Sequence, residues 1–447
     1  MNPAVSDAPA TFHPASSSDF IPLGPLRGLQ SLRLRQVIAQ TYEHVSQYRR
    51  RMQKHGLAPA DIRGVEDLAK LPLTTKADLR DAYPTGMFLV PVQQIRRLHC
   101  GGGAPGGPIV AAYTRRDLDI RAELMVRGLA CCGIRPGDIL QNACGPEVLS
   151  DGPALLHAAD TLGCTVLPVP IGDTLRQITL LKDFGVSVLC CTPNYFLYLA
   201  ERADKSRVDL GDLPLRTVVL VGESCNEAVR RRIEQSAAVK AYDLYGLPEM
   251  LGPDIGAECC RQEGLHVFED HFYPEIIDPA TGVPLPDGQE GELVLTTLSS
   301  EAMPLVRYRT RDLTAILTEP CSCGRTLRRV GRISRPADDM FVIQGVNVFP
   351  SEIEAALLAV EGTLPHYQVV LSEDSGLDRV EVEIEVTPQT FSDRVGALEG
   401  LQSKFAGELQ RTLGIAVGVR IVEPHAVDRN QAKVTRVLDK RGARGSH

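Results

Sequence analysis

The chain has 447 residues, 43% of them hydrophobic, and a formal net charge of -8, enough length for a large core and two or three domains. The acidic balance gives no general attraction for nucleic acid or for an anionic membrane, so an anionic ligand must be held by a local site. No apolar run approaches the ~20 residues of a membrane span. The opening "MNPAVSDAPATFHPASSSDF" has neither a basic n-region nor an apolar h-region, so we expect a cytoplasmic protein with a flexible lead over 1–25.

From Leu29 to about Lys54 the apolar spacing predicts one amphipathic helix with a basic C-terminal end. Between Leu98 and Tyr245, apolar runs ("DILQNAC", "GCTVLPVPI", "VSVLCCTP", "RTVVLVGES") alternate with helical segments ("TRRDLDIRAELMVRGLACC", "NEAVRRRIEQSA"). That alternation predicts an α/β fold with a mainly parallel sheet covered by helices. Over about 260–330, short alternating strands around "DPATG" and "PDGQEGE" predict a small β-barrel that completes a large N-terminal domain, 26–337. The remainder, 338–447, outlines a small mobile α+β domain.

Twelve cysteines in a chain without a secretion signal read as thiols or metal ligands. Those in "LACCGI" and "VLCCTPNY" read as buried small hydrophobes. Cys259 and His266, with Cys321 and Cys323 of "PCSCGRT", supply four ligands suited to tetrahedral Zn²⁺, with Cys260 able to replace Cys259 and unmetallated thiols as the alternative. Four protein ligands leave no open position, so such a zinc is structural.

Five glycines crowd the stretch "HCGGGAPGGPIVAAYT". A glycine-rich loop can wrap an anion with backbone N–H groups, but this one lacks any Ser, Thr or Lys until Thr114.

Several longer motifs carry a resemblance: "YRRRMQKHGLAPADIRGVEDLAKLPLTTKADLRDAYP", "CCTPNYFLYLAE", "YDLYGLPEM", "GELVLTTLSSEAMPLVRYRTRDL" and "QGVNVFPSEIE". In this order, from about residue 25 to 441, they resemble the phenylacetate-coenzyme A ligase family of the adenylate-forming superfamily. The resemblance implies an enzyme that joins a carboxylate to the α-phosphate of ATP, releases pyrophosphate, and passes the acyl group to coenzyme A or another acceptor. It implies that Tyr245, with Gly246 beside it, stacks on adenine, that Glu249 holds Mg²⁺ and that Asp312 accepts from the ribose hydroxyls. Arg307, Arg309 and Arg311 either face solvent or support Asp312. Glu223 falls at a nucleotide-side acidic position, or else caps the helix at "NEAVRRRIE". Lys433 in "RNQAKVTRV" falls at the mobile lysine that contacts carboxylate and α-phosphate, and Asp338 at the hinge. The segment "QGVNVFPSEIE" would line the thiol channel, with Gly345 permitting close approach.

The chain also departs from the family. The phosphate-loop positions read Gly101 to Pro108, so Gly103 and Gly106 keep backbone contacts while every hydroxyl and the lysine are replaced, and Pro105 removes a donor. Arg115 or Arg116 could compensate. Arg335-Pro336 stands where the family has Gly-Arg before its hinge. In the acyl pocket, Cys144, Pro146 and Leu149 occupy aromatic positions, which favours an aromatic or heteroaromatic acid other than phenylacetate, as in natural-product tailoring.

These readings define an acyl-activating enzyme using ATP, Mg²⁺ and coenzyme A on a small aromatic carboxylate, with no nucleic-acid or membrane partner and a homodimer left open. The stripped loop raises two alternatives: an ATP-independent acyl transferase or condensing enzyme on the same fold, and a catalytically silent binding partner.

Overall fold

The computed structural model describes residues 13–101, 108–144, 152–169, 173–223, 225–252, 255–333, 335–336, 341–343, 346–348, 350–360, 366–374, 377–386, 395–413, 417–423, 426 and 437–440. The expected sites Gly103, Gly106, Pro146, Leu149, Asp338, Gly345 and Lys433 lie outside these residues.

The N-terminal segment is ordered earlier than the sequence suggested. A 3-10 turn spans Pro14–Phe20, and helix α1 (Leu23–His44) follows directly. Asp19 fixes this segment: its carboxylate is fully buried and accepts from Arg127 at 2.9 Å and from Arg325 at 3.0 Å. The single helix expected from Leu29 to Lys54 is two, because Val45 is extended between α1 and α2 (Ser46–Lys54). Helix α3 (Lys76–Asp81) leads to a hairpin of β1 (Arg97–Gly101) and β2 (Ile109–Tyr113), and α4 (Arg115–Cys131) follows under a Thr114–Asp117 capping box.

The alternating region forms strands β3 (Ile139–Asn142), β4 (Thr165–Pro168), β5 (Val188–Cys191), β6 (Thr217–Leu220) and β7 (Lys240–Tyr245). Between them lie α5 (Gly152–Thr161), α6 (Thr174–Asp183), α7 (Pro193–Lys205) and α8 (Glu227–Ala237). The strands pair in parallel in the order β4-β3-β5-β6-β7. Both faces are buried, as parallel sheets require. Val188, Cys190 and Val219 join the core formed with α4 and α5, while Leu189, Cys191, Val218 and Leu220 join the one formed with α6 to α8. The period of two along a strand thus divides each apolar run between two cores.

The region read as barrel-like divides between two sheets. Strands β8 (Gly256–Glu258) and β9 (Leu265–Val267) continue the large sheet antiparallel beyond β7. Strands β10 (Phe272–Ile277), β11 (Gly291–Thr297) and β12 (Tyr308–Thr314) begin a four-stranded antiparallel sheet. The pair β13 (Ile316–Leu317) and β14 (Arg329–Val330) returns to the large sheet, and β15 (Arg335–Pro336) closes the smaller one. Gly291 permits the close approach of β11 to β10, since a Cβ there would lie 2.4 Å from the Ile277 carbonyl.

The last segment has its own core. A short hairpin of β16 (Phe341–Ile343) and β17 (Val346–Val348) precedes α9 (Pro350–Leu358). Strands β18 (Tyr367–Asp374), β19 (Leu377–Glu385), β20 (Gly418–Val422) and β21 (Val437–Asp439) form a sheet in the order β20-β19-β18-β21, packed by α10 (Val395–Leu413). Among the described residues, no helix is long and apolar enough to cross a membrane.

Candidate active site

The carboxyl ends of the parallel strands gather the predicted residues, as open α/β sheets do. Cys144 follows β3, Thr192 and Asn194 follow β5, Glu223 follows β6, and Tyr245 ends β7. Asp312 arrives from the other sheet: the Tyr245 hydroxyl donates to Asp312 Oδ2 at 2.5 Å. Burial of that hydroxyl beside the carboxylate raises the Tyr245 pKa well above its ordinary value. The phenol is therefore a donor at neutral pH, and the residue as a whole is half-buried.

Glu249 is held by a residue the sequence reading passed over. Tyr308 donates to Glu249 Oε1 at 2.6 Å, and both side chains are buried. Tyr308 begins "YRTRD", and the alternation of buried positions along β12 is the signal that would have found it. A second missed residue is Tyr113, whose hydroxyl donates to the Pro248 carbonyl inside "YGLPE". Its ring lies 4.2 Å from the Arg121 guanidinium and 5.1 Å from the edge-on His99 ring. The glycine-loop hairpin is thus fastened to the segment carrying Glu249. Arg115 and Arg116 sit at the base of that hairpin, at the opposite end from Gly101 and Ile109 where its turn begins, and Arg115 pairs with Asp119 at 3.2 Å.

Glu223 does not cap α8. Asn226 does, its side chain accepting from the Val229 amide at 2.9 Å. Glu223 instead accepts from the Asn194 side chain at 2.6 Å, at the start of α7. The arginines of "RYRTRD" are held by carboxylates: Arg307 is buried against Glu275 at 3.1 Å, and Arg309 grips the buried Glu292 through its Nε at 3.0 Å, so neither simply faces solvent. Cys144 is buried with its sulfur 3.9 Å from that of Cys190, and this neighbour with burial raises its pKa well above the ordinary thiol value. Asp243, two residues before Tyr245, is pushed up to about 7 by burial and the nearby Glu258, with Arg332 opposing.

A second cluster lies at the far end of the large sheet. One donor atom each from Cys259, His266, Cys321 and Cys323 falls within 4.8 Å of the others. The sulfurs of Cys259 and Cys321 are 3.7 Å apart. Two Zn–S bonds at the tetrahedral angle separate sulfurs by about 3.8 Å. Cys323 Sγ lies 3.4 Å from His266 Nε2, while His266 Nδ1 faces the Leu327 carbonyl at 3.4 Å, which orients the ring. Cys260 is exposed and outside the cluster, so Cys259 is the member from that pair. Arg325 links the cluster to the core, approaching Cys323 Sγ at 3.9 Å while donating to Asp19.

A parallel sheet with Tyr245, Glu249 and Asp312 at its carboxyl edge, followed by a small α+β unit, defines an adenylate-forming enzyme. The profile of the AMP-binding enzyme family matches residues 154–299, and that of the AMP-binding enzyme C-terminal domain matches 345–441. The chain is 42% identical to a phenylacetate-coenzyme A ligase of Thermus thermophilus, over 94% of this chain and 98% of the relative. It is 38% identical to one of Escherichia coli, over 94% and 96%. The chain belongs to the phenylacetate-coenzyme A ligase family and is an adenylate-forming ligase. Among solved structures it is similar to 2-hydroxyisobutyryl-CoA ligase in the postadenylation state, with a TM-score of 0.86, 27% identity and coverage of 98% and 96%. Against the thioesterification state of that ligase the TM-score is 0.69, so the described arrangement is nearer the postadenylation one. The acyl-transferase and silent-partner alternatives find no support in these relatives.

Proposed function

We propose that the chain activates an aromatic carboxylate with ATP and Mg²⁺ and transfers the acyl group to coenzyme A in the cytoplasm. The observation that carries this reading is the pairing of Tyr245 with Asp312 beside the pairing of Tyr308 with Glu249. Two sequence-distant motifs meet there, one suited to a nucleoside and one to a cation on its phosphates. Asp312 accepts from the ribose hydroxyls, the Tyr245 ring covers the adenine, and Glu249, with Tyr308 fixing one oxygen, helps hold Mg²⁺. The cation offsets phosphate charge when bound. Lys433 is assigned the contact between carboxylate and α-phosphate, and Asp338 the hinge between 26–337 and 338–447; the separate core of the last segment supports that division.

The acid remains of the aryl class but is not expected to be phenylacetate, because Cys144, Pro146 and Leu149 stand at positions that are aromatic in the family. The donor set and spacings around Cys259, His266, Cys321 and Cys323 fit a structural Zn²⁺. The test is calorimetry of ATP with Mg²⁺ followed by AMP release with a panel of aromatic acids, phenylacetate included. Micromolar binding with acid-dependent AMP supports the reading. Absence of both, or full adenylation by folded Lys433→Ala, would overturn it.

A further inference from the structure

The strand that carries Asp312 departs from regular pairing at one place. On β11, Glu292 pairs with Leu313 and Val294 with Arg309, so Leu293 alone faces Thr310, Arg311 and Asp312. Two additional residues on β12 keep its in-and-out alternation but bow it away from its neighbour. The bow is made possible by Arg311, a non-glycine residue at φ +69°. A side chain in that left-handed region persists only where its surroundings enforce it.

The enforcing group is Glu292. Its carboxylate is fully buried, accepts from the Arg311 amide at 3.3 Å, and is itself gripped by Arg309 Nε at 3.0 and 3.1 Å. Thr310 completes the bulge, its hydroxyl donating to the Leu293 carbonyl at 2.8 Å and accepting from the Asp312 amide at 3.0 Å. Glu292 and Thr310 thus shape the backbone on one side of Asp312, β15 pairs with it at Pro336 on the other, and Asp312 so placed receives the bond from Tyr245.

We infer that Glu292 is a positioning residue for the nucleotide: by holding Arg311 in left-handed geometry it sets Asp312 where a ribose would meet it. The inference rests on the reading of Asp312 as the ribose ligand.

The test compares affinities for ATP and for 2′,3′-dideoxyATP, each with Mg²⁺, by calorimetry on the full chain. Wild type should prefer ATP, and Asp312→Asn should lose most of that preference. If Asp312→Asn keeps it, the ribose reading fails before Glu292 is in question. If Asp312→Asn loses it, Glu292→Gln should lower the preference about tenfold, the scale of one hydrogen bond to a charged group. A folded Glu292→Gln with the wild-type preference overturns the inference. Should Glu292→Gln not fold, Arg311→Val and Arg311→Gly decide: both remove the guanidinium, and only valine resists a positive φ. Valine should lower the preference more than glycine, and equal values overturn the inference.

Discussion

The hydroxyl of Tyr245 meets Asp312 at 2.5 Å across 67 positions of sequence, joining the end of β7 to the middle of β12. Through this bond the large sheet and the small antiparallel sheet share one site. The carboxylate orientation therefore depends on the phenol as well as on its own strand.

Replacing Tyr245 by Phe keeps the ring and removes the donor. The KM for ATP should rise about tenfold, the scale of a lost bond to a charged group, with the KM for the acid little changed. Steady-state kinetics with each substrate varied in turn measures the split, and an unchanged KM for ATP would show the bond to be incidental.

Tyr308→Phe should act through Glu249. Without its donor at 2.6 Å, the buried carboxylate loses the contact that orients it. The Mg²⁺ concentration giving half-maximal rate should increase several-fold, while stability falls by about 1–2 kcal/mol from the lost buried bond. Magnesium titrations at saturating ATP separate this effect from general loss of activity.

The four-residue cluster predicts one zinc per chain in purified protein, measurable by elemental analysis. Cys323→Ser should lose the metal and lower the melting temperature, and Cys260→Ser should retain it, since Cys260 lies outside the cluster. Loss of a structural metal exposes four polar groups that no other partner satisfies as well. A metal-free protein of equal stability would refute the zinc assignment.

Arg127 is buried between two carboxylates, bonding Asp19 at 2.9 Å and Asp270 at 3.0 and 2.9 Å. Arg127→Met removes a buried counter-charge from both acids and should destabilise the protein by about 3–5 kcal/mol. Urea denaturation at pH 7 measures it. Asp270 is held below the usual carboxylate range by His271 and Arg127 against the effect of burial, so this stabilisation is present above that range and lost as pH falls through it.

Asp243 has the opposite sign. Burial raises its pKa to about 7, so between roughly pH 4 and 7 the folded protein binds this proton more tightly than the unfolded chain. Its contribution is most favourable at low pH and falls as pH rises through that window, by at most about 4 kcal/mol for a shift of some three units. Asp243→Asn should flatten this part of the stability profile and raise the melting temperature at pH 8. A profile identical to wild type would remove Asp243 as its source.

The sequence by itself determined the alternating α/β core, because each parallel strand reads as a short apolar run bounded by helix-starting residues, as "VSVLCCTP" shows before α7. The resemblance carried by its motifs pointed to Tyr245, Glu249 and Asp312, and residue type pointed to the four thiol and imidazole groups that the structure brings together. Within the lead expected over 1–25 it missed the order from Pro14 on, where a single carboxylate, Asp19, finds Arg127 and Arg325 more than a hundred residues away. Only the tertiary structure decided what supports the site: the donor from Tyr308 to Glu249, the fastening of Tyr113 to Pro248, the sorting of the strands from β8 to β15 between two sheets, and the left-handed Arg311 held by Glu292. The physical reason is common to all of these. Each depends on groups far apart in sequence meeting in space, and such meetings leave no periodicity or local pattern in the chain.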